Sequence, residues 1–136
     1  MSKQVYISGA LTNANRKQFY EEIAQVVNSL GYKAYVPHMY TDPEKNPDVT
    51  PTEVYELDME QIENSCLVIA YVGIPSFGVG MELERASSKG IPIILLHHND
   101  DKVSRMALGI INDKIKVTKK GKIKITKNGY FFDCQK

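Results

Sequence analysis

The 136-residue chain holds only two cysteines, Cys66 and Cys134, and neither sits in a Cys-x-x-Cys or Cys/His spacing. That excludes a disulfide framework and a cysteine-based metal site as first readings. Cys66 heads an apolar run and reads as a small buried hydrophobe. No apolar stretch approaches the ~20 residues that span a bilayer. The N-terminal apolar run Val5-Tyr6-Ile7 meets Ser8-Gly9 at once, too soon for a signal-peptide core. A reduced, cytoplasmic setting with no membrane partner is expected. An excess of one charge is also lacking. The net charge is +1, which gives no broad electrostatic case for a nucleic-acid partner. Residues 1–136 are expected to form a single domain with one real core.

What is present is an alternation of two periodicities. Residues 5–8, 32–36, 66–71 and 91–96 are short apolar runs of buried-strand type. Between them lie helical patterns. One starts at Asn13 or Asn15 and reaches about Leu30, with Phe19, Ile23, Val26, Val27 and Leu30 on one face, and Gly31 stops it. Another covers 52–63, capped by Thr50 or Thr52, with Val54, Leu57 and Ile62 facing inward. Further helices are expected at 78–88, ended by Gly90, and at 101–111. Residues 37–51 are polar and proline-rich and read as a long loop, of the kind that often covers a site. Residues 114–127 alternate apolar and lysine positions around a Lys119-Lys120-Gly121 turn, so a β-hairpin is expected there. The lysines are best read as a solvated edge. The fold class is therefore α/β and doubly wound. It comprises a mostly parallel five-stranded sheet of flavodoxin or Rossmann type, helices on both faces, and a lysine-rich β-hairpin-like tail at 114–136. Ligands bind such sheets at the carboxyl ends of the strands. That rule gathers the loops after residues 9, 37, 73 and 97.

One of those loops carries most of the chemical information. In Pro75-Ser76-Phe77-Gly78-Val79-Gly80-Met81-Glu82 a hydroxyl, two glycines and a carboxylate occupy a strand-to-helix turn. Free N–H groups and the positive end of the helix dipole suit an anion there, either a phosphate or Glu82 itself, which is expected to stay ionised. The Gly-x-Gly lacks the third glycine of a dinucleotide fingerprint, and no Gly-Lys-Ser/Thr follows. Glu84, two residues on, points to another face and reads as a solvated charge. Asp58 lies in the helix that delivers into the third strand. It is either a surface aspartate or, if it faces the pocket, a carboxyl whose pKa burial raises. An ionised carboxylate beside a protonated one is the pattern that cleaves glycosidic bonds. Ser76 is either a phosphate donor or a turn serine bonding its own backbone. Tyr6 either fills core or reaches a carboxylate. His38 opens the long loop. His97 and His98 point to opposite sides of a strand and make a poor metal pair.

Tyr6-Ile7-Ser8-Gly9, Glu56-Leu57-Asp58 and Pro75-Ser76-Phe77-Gly78-Val79-Gly80-Met81-Glu82-Leu83 resemble the nucleoside 2-deoxyribosyltransferase superfamily. The resemblance is strongest to its 2′-deoxynucleoside 5′-phosphate N-hydrolase branch and to the CMP N-glycosidases beside it, and it covers roughly residues 5–115. It implies hydrolysis of the N-glycosidic bond of (2′-deoxy)nucleoside 5′-monophosphates, without a metal or other cofactor. Base exchange between nucleosides and a non-catalytic nucleotide-binding module are the alternatives. Glu82 matches the nucleophile, Asp58 the carboxylate that assists departure of the base, and Tyr6 the tyrosine that orients the nucleophile. Gly9, Leu11, His38, Ser76, Gly78, Gly80 and Met106 match substrate-binding positions. Ser104, in Val103-Ser104-Arg105-Met106, matches a serine that completes the neighbouring subunit's pocket, which implies a homodimer or larger homo-oligomer. Serine six residues before the nucleophile suits a 5′-phosphate, where the transferases carry aspartate. The relatives' serine and arginine after the first strand are replaced by Ala10 and Thr12. Arg16, Lys17 and Arg105 are the candidates to replace the missing charge.

Overall fold

The computed structural model describes residues 2–11, 16–98 and 101–110, together with the strand backbones at 116–117, 122–124 and 131–133. Thr12, Asn13, Asn15 and Cys134 lie outside the described residues. Strands β1 (Gln4–Ser8), β2 (Lys33–Tyr35), β3 (Leu67–Tyr71) and β4 (Ile93–Leu96) form one parallel sheet in the order β2-β1-β3-β4. The helices are α1 (Lys17–Ser29), α2 (His38–Thr41), α3 (Pro51–Glu63), α4 (Phe77–Ser88) and α5 (Arg105–Leu108). The parallel sheet thus has four strands among the described residues, where five were expected. The tail forms a separate antiparallel sheet, β5 (Lys116–Val117), β6 (Lys122–Lys124) and β7 (Phe131–Asp133). Tight turns can join antiparallel strands, whereas a parallel strand needs a crossover of a dozen or more residues.

The central strand β3, Leu-Val-Ile-Ala-Tyr, is buried at every position. A strand covered on both faces reads as such a continuous apolar run. Along β1 the pleat divides the side chains. Val5 and Ile7 join Tyr20, Ile23 and Val27 of α1 on one face. Tyr6 joins Met59 and Ile62 of α3 and Leu83 of α4 on the other. Each fully buried Ile or Leu contributes roughly 1.5–3 kcal/mol. Truncating Ile69, at 1 % exposure, to Ala costs about 2–5 kcal/mol through lost transfer energy and a residual cavity.

The helix ends explain where expectation and structure differ. Gly31 and Gly90 follow α1 and α4 with φ of 90° and 70°, the left-handed conformation that ends helices. Leu30 is the cap of α1 and is exposed, while Tyr20 and Ala24 take core positions. Thr50 caps α3 through a reciprocal box with Glu53, and Pro51 occupies the first turn. Met59 and Ile62 are buried in α3, whereas Val54 and Leu57 are only half-buried. The loop expected at 37–51 contains the short helix α2. The helix expected at 101–111 shrinks to α5, which Ser104 caps and Gly109 ends; Asp101 lies before it, its carboxylate accepting from the His98 N–H at 2.7 Å and the Tyr71 hydroxyl at 2.8 Å. Cys66 is a half-buried free thiol beside the Gln4 carbonyl, 3.2 Å away.

A candidate active site at the topological switch point

The strand order reverses between β1 and β3, the place where doubly wound sheets bind ligands. Tyr6 and Ser8, two apart on β1, project from the same face. Both hydroxyls donate to Glu82 on α4, Tyr6 to Oε2 and Ser8 to Oε1, the latter at 2.8 Å. Glu82 is 7 % exposed. Burial pushes its pKa from 4.5 up to about 7, against the two hydrogen bonds, which favour the carboxylate; the Asp58 carboxylate pushes in the same direction as burial. This corrects the expectation that the helix terminus keeps Glu82 ionised. Glu82 is the sixth residue of α4, and the dipole's influence fades within the first turn. Tyr6 fills core and reaches a carboxylate at once. Burial, then the neighbouring Glu82 charge, raises the pKa of its hydroxyl, so it remains a donor.

Asp58 faces inward from α3. Its Oδ1 is buried and meets no hydrogen-bond partner among the described residues. Burial lifts its pKa to about 6. Burial thus pushes both carboxyls toward the neutral form in the free protein. Glu84 is exposed, as the two-residue offset from Glu82 on a helix requires.

Ser76 caps α4, its Oγ accepting from the Val79 N–H at 3.3 Å. The capping role leaves the hydroxyl proton free to donate elsewhere. The glycines behind it answer to no packing demand. A Cβ at Gly80 would meet nothing within 4 Å, and one at Gly78 would meet only Ser76 Oγ at 3.8 Å. Glycine inside a helix costs about 1 kcal/mol against alanine, so two of them keep an open approach to the helix start at a cost in stability. Gly9 differs. A Cβ there would lie 2.2 Å from the Tyr20 ring, so packing alone requires glycine.

The remaining expected residues are spread around this centre. Leu11 packs on the α1-side core. His38, buried on α2, lies against the Tyr20 ring at 6.4 Å with Nε2 3.6 Å from Glu21, on the α1 side rather than at the carboxylate pair. Ser104 caps α5 and is exposed, and Met106 is 90 % exposed. Lys17 is ion-paired with Asp42 and Glu44. Arg16 lies over the Tyr71 ring at 5.2 Å, and Arg105 is exposed. Ala10 is buried, its carbonyl accepting from the Tyr20 hydroxyl at 2.9 Å.

Two contributors escaped the sequence reading. Ser8 was legible only as part of Tyr6-Ile7-Ser8-Gly9, although strand alternation places it on the same face as Tyr6. Tyr35 on β2 pairs in register with Tyr6 and stacks on it at 5.6 Å. Only the register reveals that proximity.

The fold and site define an α/β protein with two inward-facing carboxyls and a glycine-lined helix start at its switch point. The chain belongs to the nucleoside 2-deoxyribosyltransferase family, whose profile matches residues 5–133. Within it the chain is similar to two archaeal proteins, each named "Putative 2′-deoxynucleoside 5′-phosphate N-hydrolase 1". The Methanococcoides burtonii protein is 34 % identical over 110 residues, covering 78 % of this chain and 89 % of the relative. The Methanosarcina mazei protein is 33 % identical over 111 residues, covering 79 % and 68 %. The fold is shared with two solved structures. One is a CMP N-glycosidase from Clostridium botulinum (TM-score 0.60, 24 % identity, 79 % of each chain). The other is a 2-deoxyribosyltransferase from Bacillus psychrosaccharolyticus (TM-score 0.63, 18 % identity, 79 % of this chain and 82 % of that one).

Proposed function

We propose that this protein hydrolyses the N-glycosidic bond of (2′-deoxy)nucleoside 5′-monophosphates in the cytoplasm, releasing free base and (deoxy)ribose 5-phosphate. The observation that carries the reading is the buried Glu82 carboxyl, fixed by the Tyr6 and Ser8 hydroxyls beside Asp58. The names of the archaeal relatives support the substrate class.

In this reading ionised Glu82 attacks C1′ as the bond to the base breaks, through an oxocarbenium-like transition state. Tyr6 and Ser8 hold one carboxylate oxygen each and so fix the direction of attack. Asp58 in its acid form gives its proton to the departing base, then serves as base for the water that hydrolyses the sugar ester. The productive state has Glu82 ionised and Asp58 protonated, and burial, which raises both carboxyls, favours the acid form that Asp58 needs. Positive charge developing on the sugar favours the productive state as the transition state forms.

Ser76 and the first N–H groups of α4 hold the 5′-phosphate, with Gly78 and Gly80 leaving room for it. The protein acts as a homodimer or larger homo-oligomer in which Ser104 and Met106 of one protomer complete the other's pocket. The support is exposed apolar surface: Phe77 on α4 and Met106 on α5 are almost wholly in solvent in the single chain, and Met81 and Leu108 beside them are about half exposed. The test is chromatographic. Deoxynucleosides and their 5′-monophosphates are incubated with and without an acceptor base. Free base from the monophosphates without acceptor supports the hydrolase. A new nucleoside formed only with acceptor identifies a transferase. Binding without turnover identifies a nucleotide-binding module.

A further inference from the structure

Tyr35 carries a polar group for which the fold has no structural use. The residue is 4 % exposed. Its hydroxyl is buried and meets no hydrogen-bond partner among the described residues. Buried polar groups are nearly always satisfied, and an exception calls for a reason. Phenylalanine would fill the same space without the penalty.

The ring cannot swing to find a partner. It is clamped between Tyr6, at 5.6 Å and 21°, and Tyr40, at 4.6 Å and 5°. Tyr6 in turn is tied to Glu82. The hydroxyl is thus held in one place by the same stack that orients the carboxylate. That place lies on the carboxyl side of the sheet: Tyr35 shares a core cluster with Met59 and Leu83, the chain neighbours of Asp58 and Glu82, and its register partner Tyr6 donates to Glu82. Asp58 Oδ1 is likewise buried and unpaired, and the two orphaned atoms do not satisfy each other. Two buried, unpaired polar atoms on the same face of the sheet mark the position of a polar group that arrives with the ligand.

We propose that Tyr35 is a further catalytic residue, whose hydroxyl donates a hydrogen bond to the departing nucleobase beside Asp58. The inference rests on the N-glycosidase reading and adds a leaving-group contact to it. Nucleobases present ring-nitrogen and carbonyl acceptors on their edges. When the C1′–N bond breaks, its electron pair moves onto the base, while a Glu82 oxygen forms the new bond to C1′. Asp58 supplies the proton. Tyr35 keeps its own proton and stabilises the developing charge through the hydrogen bond, as a preorganised donor does. Burial and the adjacent carboxyls raise its pKa, so it stays a donor across the working range.

Tyr35→Phe tests this while keeping the ring stack. Removing an unsatisfied buried hydroxyl leaves the melting temperature unchanged or higher. kcat for base release is expected to fall roughly ten- to a hundredfold, with a smaller change in KM. Activity within twofold of wild type overturns the proposal. So does a lowered melting temperature with kcat and KM moving together, which marks a structural hydroxyl. If the wild-type protein releases no base from any monophosphate, the N-glycosidase reading fails. Calorimetric titration of the free bases then still decides on Tyr35: weaker binding by the variant supports the contact, and equal binding, or none to either protein, overturns it.

Discussion

The Tyr6 hydroxyl on β1 donates to Glu82 on α4, 76 residues further along the chain. With Ser8 on the other oxygen, Glu82 is a carboxyl that burial pushes toward the neutral form and two hydroxyls pull back toward the charged one. The balance between those effects sets the expected behaviour of the site.

Ser8→Ala removes one of the two donors that favour the ionised form. The Glu82 pKa then rises further. The pH profile of kcat/KM for wild type is expected to be a bell with its limbs near the two carboxyl values of about 6 and about 7. In the variant the profile shifts to higher pH and activity on its acid side falls. An unshifted profile removes Ser8 from the site.

Glu82→Gln reports on the same burial through stability. The folded-state pKa of about 7 lies above the ordinary 4.5, so the carboxyl's contribution is fully present below the lower value and lost as pH rises through the upper one. Gln stays neutral throughout. The melting temperature of the variant relative to wild type should therefore be higher at pH 8 than at pH 5. A difference that does not change with pH contradicts a buried, proton-retaining Glu82.

Much of this arrangement was legible in the sequence, and the failures have physical causes. Element order came from apolar runs alternating with helical spacing. The segment from Ser76 to Glu82 stood out because a hydroxyl, two glycines and a carboxylate cluster at one turn. Tyr6 was read as either core or carboxylate partner, and it is both. That burial works against the ionisation of Glu82 was not legible, because burial depends on how α4 packs on the sheet, which no local pattern contains. Tyr35 was invisible for a similar reason: its ring partner Tyr6 comes from another strand and is brought beside it only by strand register. Asp101, expected to open a helix, instead bonds Tyr71, a contact 30 residues apart in sequence.

Ser76→Asp separates phosphate recognition from chemistry. Aspartate is as good a helix cap as serine, so α4 and the fold are retained. A carboxylate there repels a 5′-phosphate. KM for the monophosphate should rise by about tenfold or more, equivalent to roughly 1.4 kcal/mol, while turnover of the matching nucleoside holds or improves. Equal effects on both substrates would place the phosphate elsewhere.

Met106→Asp puts a charge on a side chain that is 90 % exposed in the single chain. Stability of an isolated protomer should barely change. If α5 completes a neighbouring pocket, sedimentation will show a shift toward monomer and base release will fall with it. Unchanged mass and activity refute the shared-site arrangement.

In the proposed function Glu82 drives N-glycosidic cleavage of nucleoside 5′-monophosphates. The direct measurement is free base, quantified by chromatography, from each common deoxynucleoside and nucleoside 5′-monophosphate incubated with wild type and with Glu82→Gln and no acceptor. Wild type is expected to release free base from at least one monophosphate, and the variant to lose at least roughly a thousandfold of that activity. No base from any monophosphate, or undiminished release by Glu82→Gln, contradicts this reading.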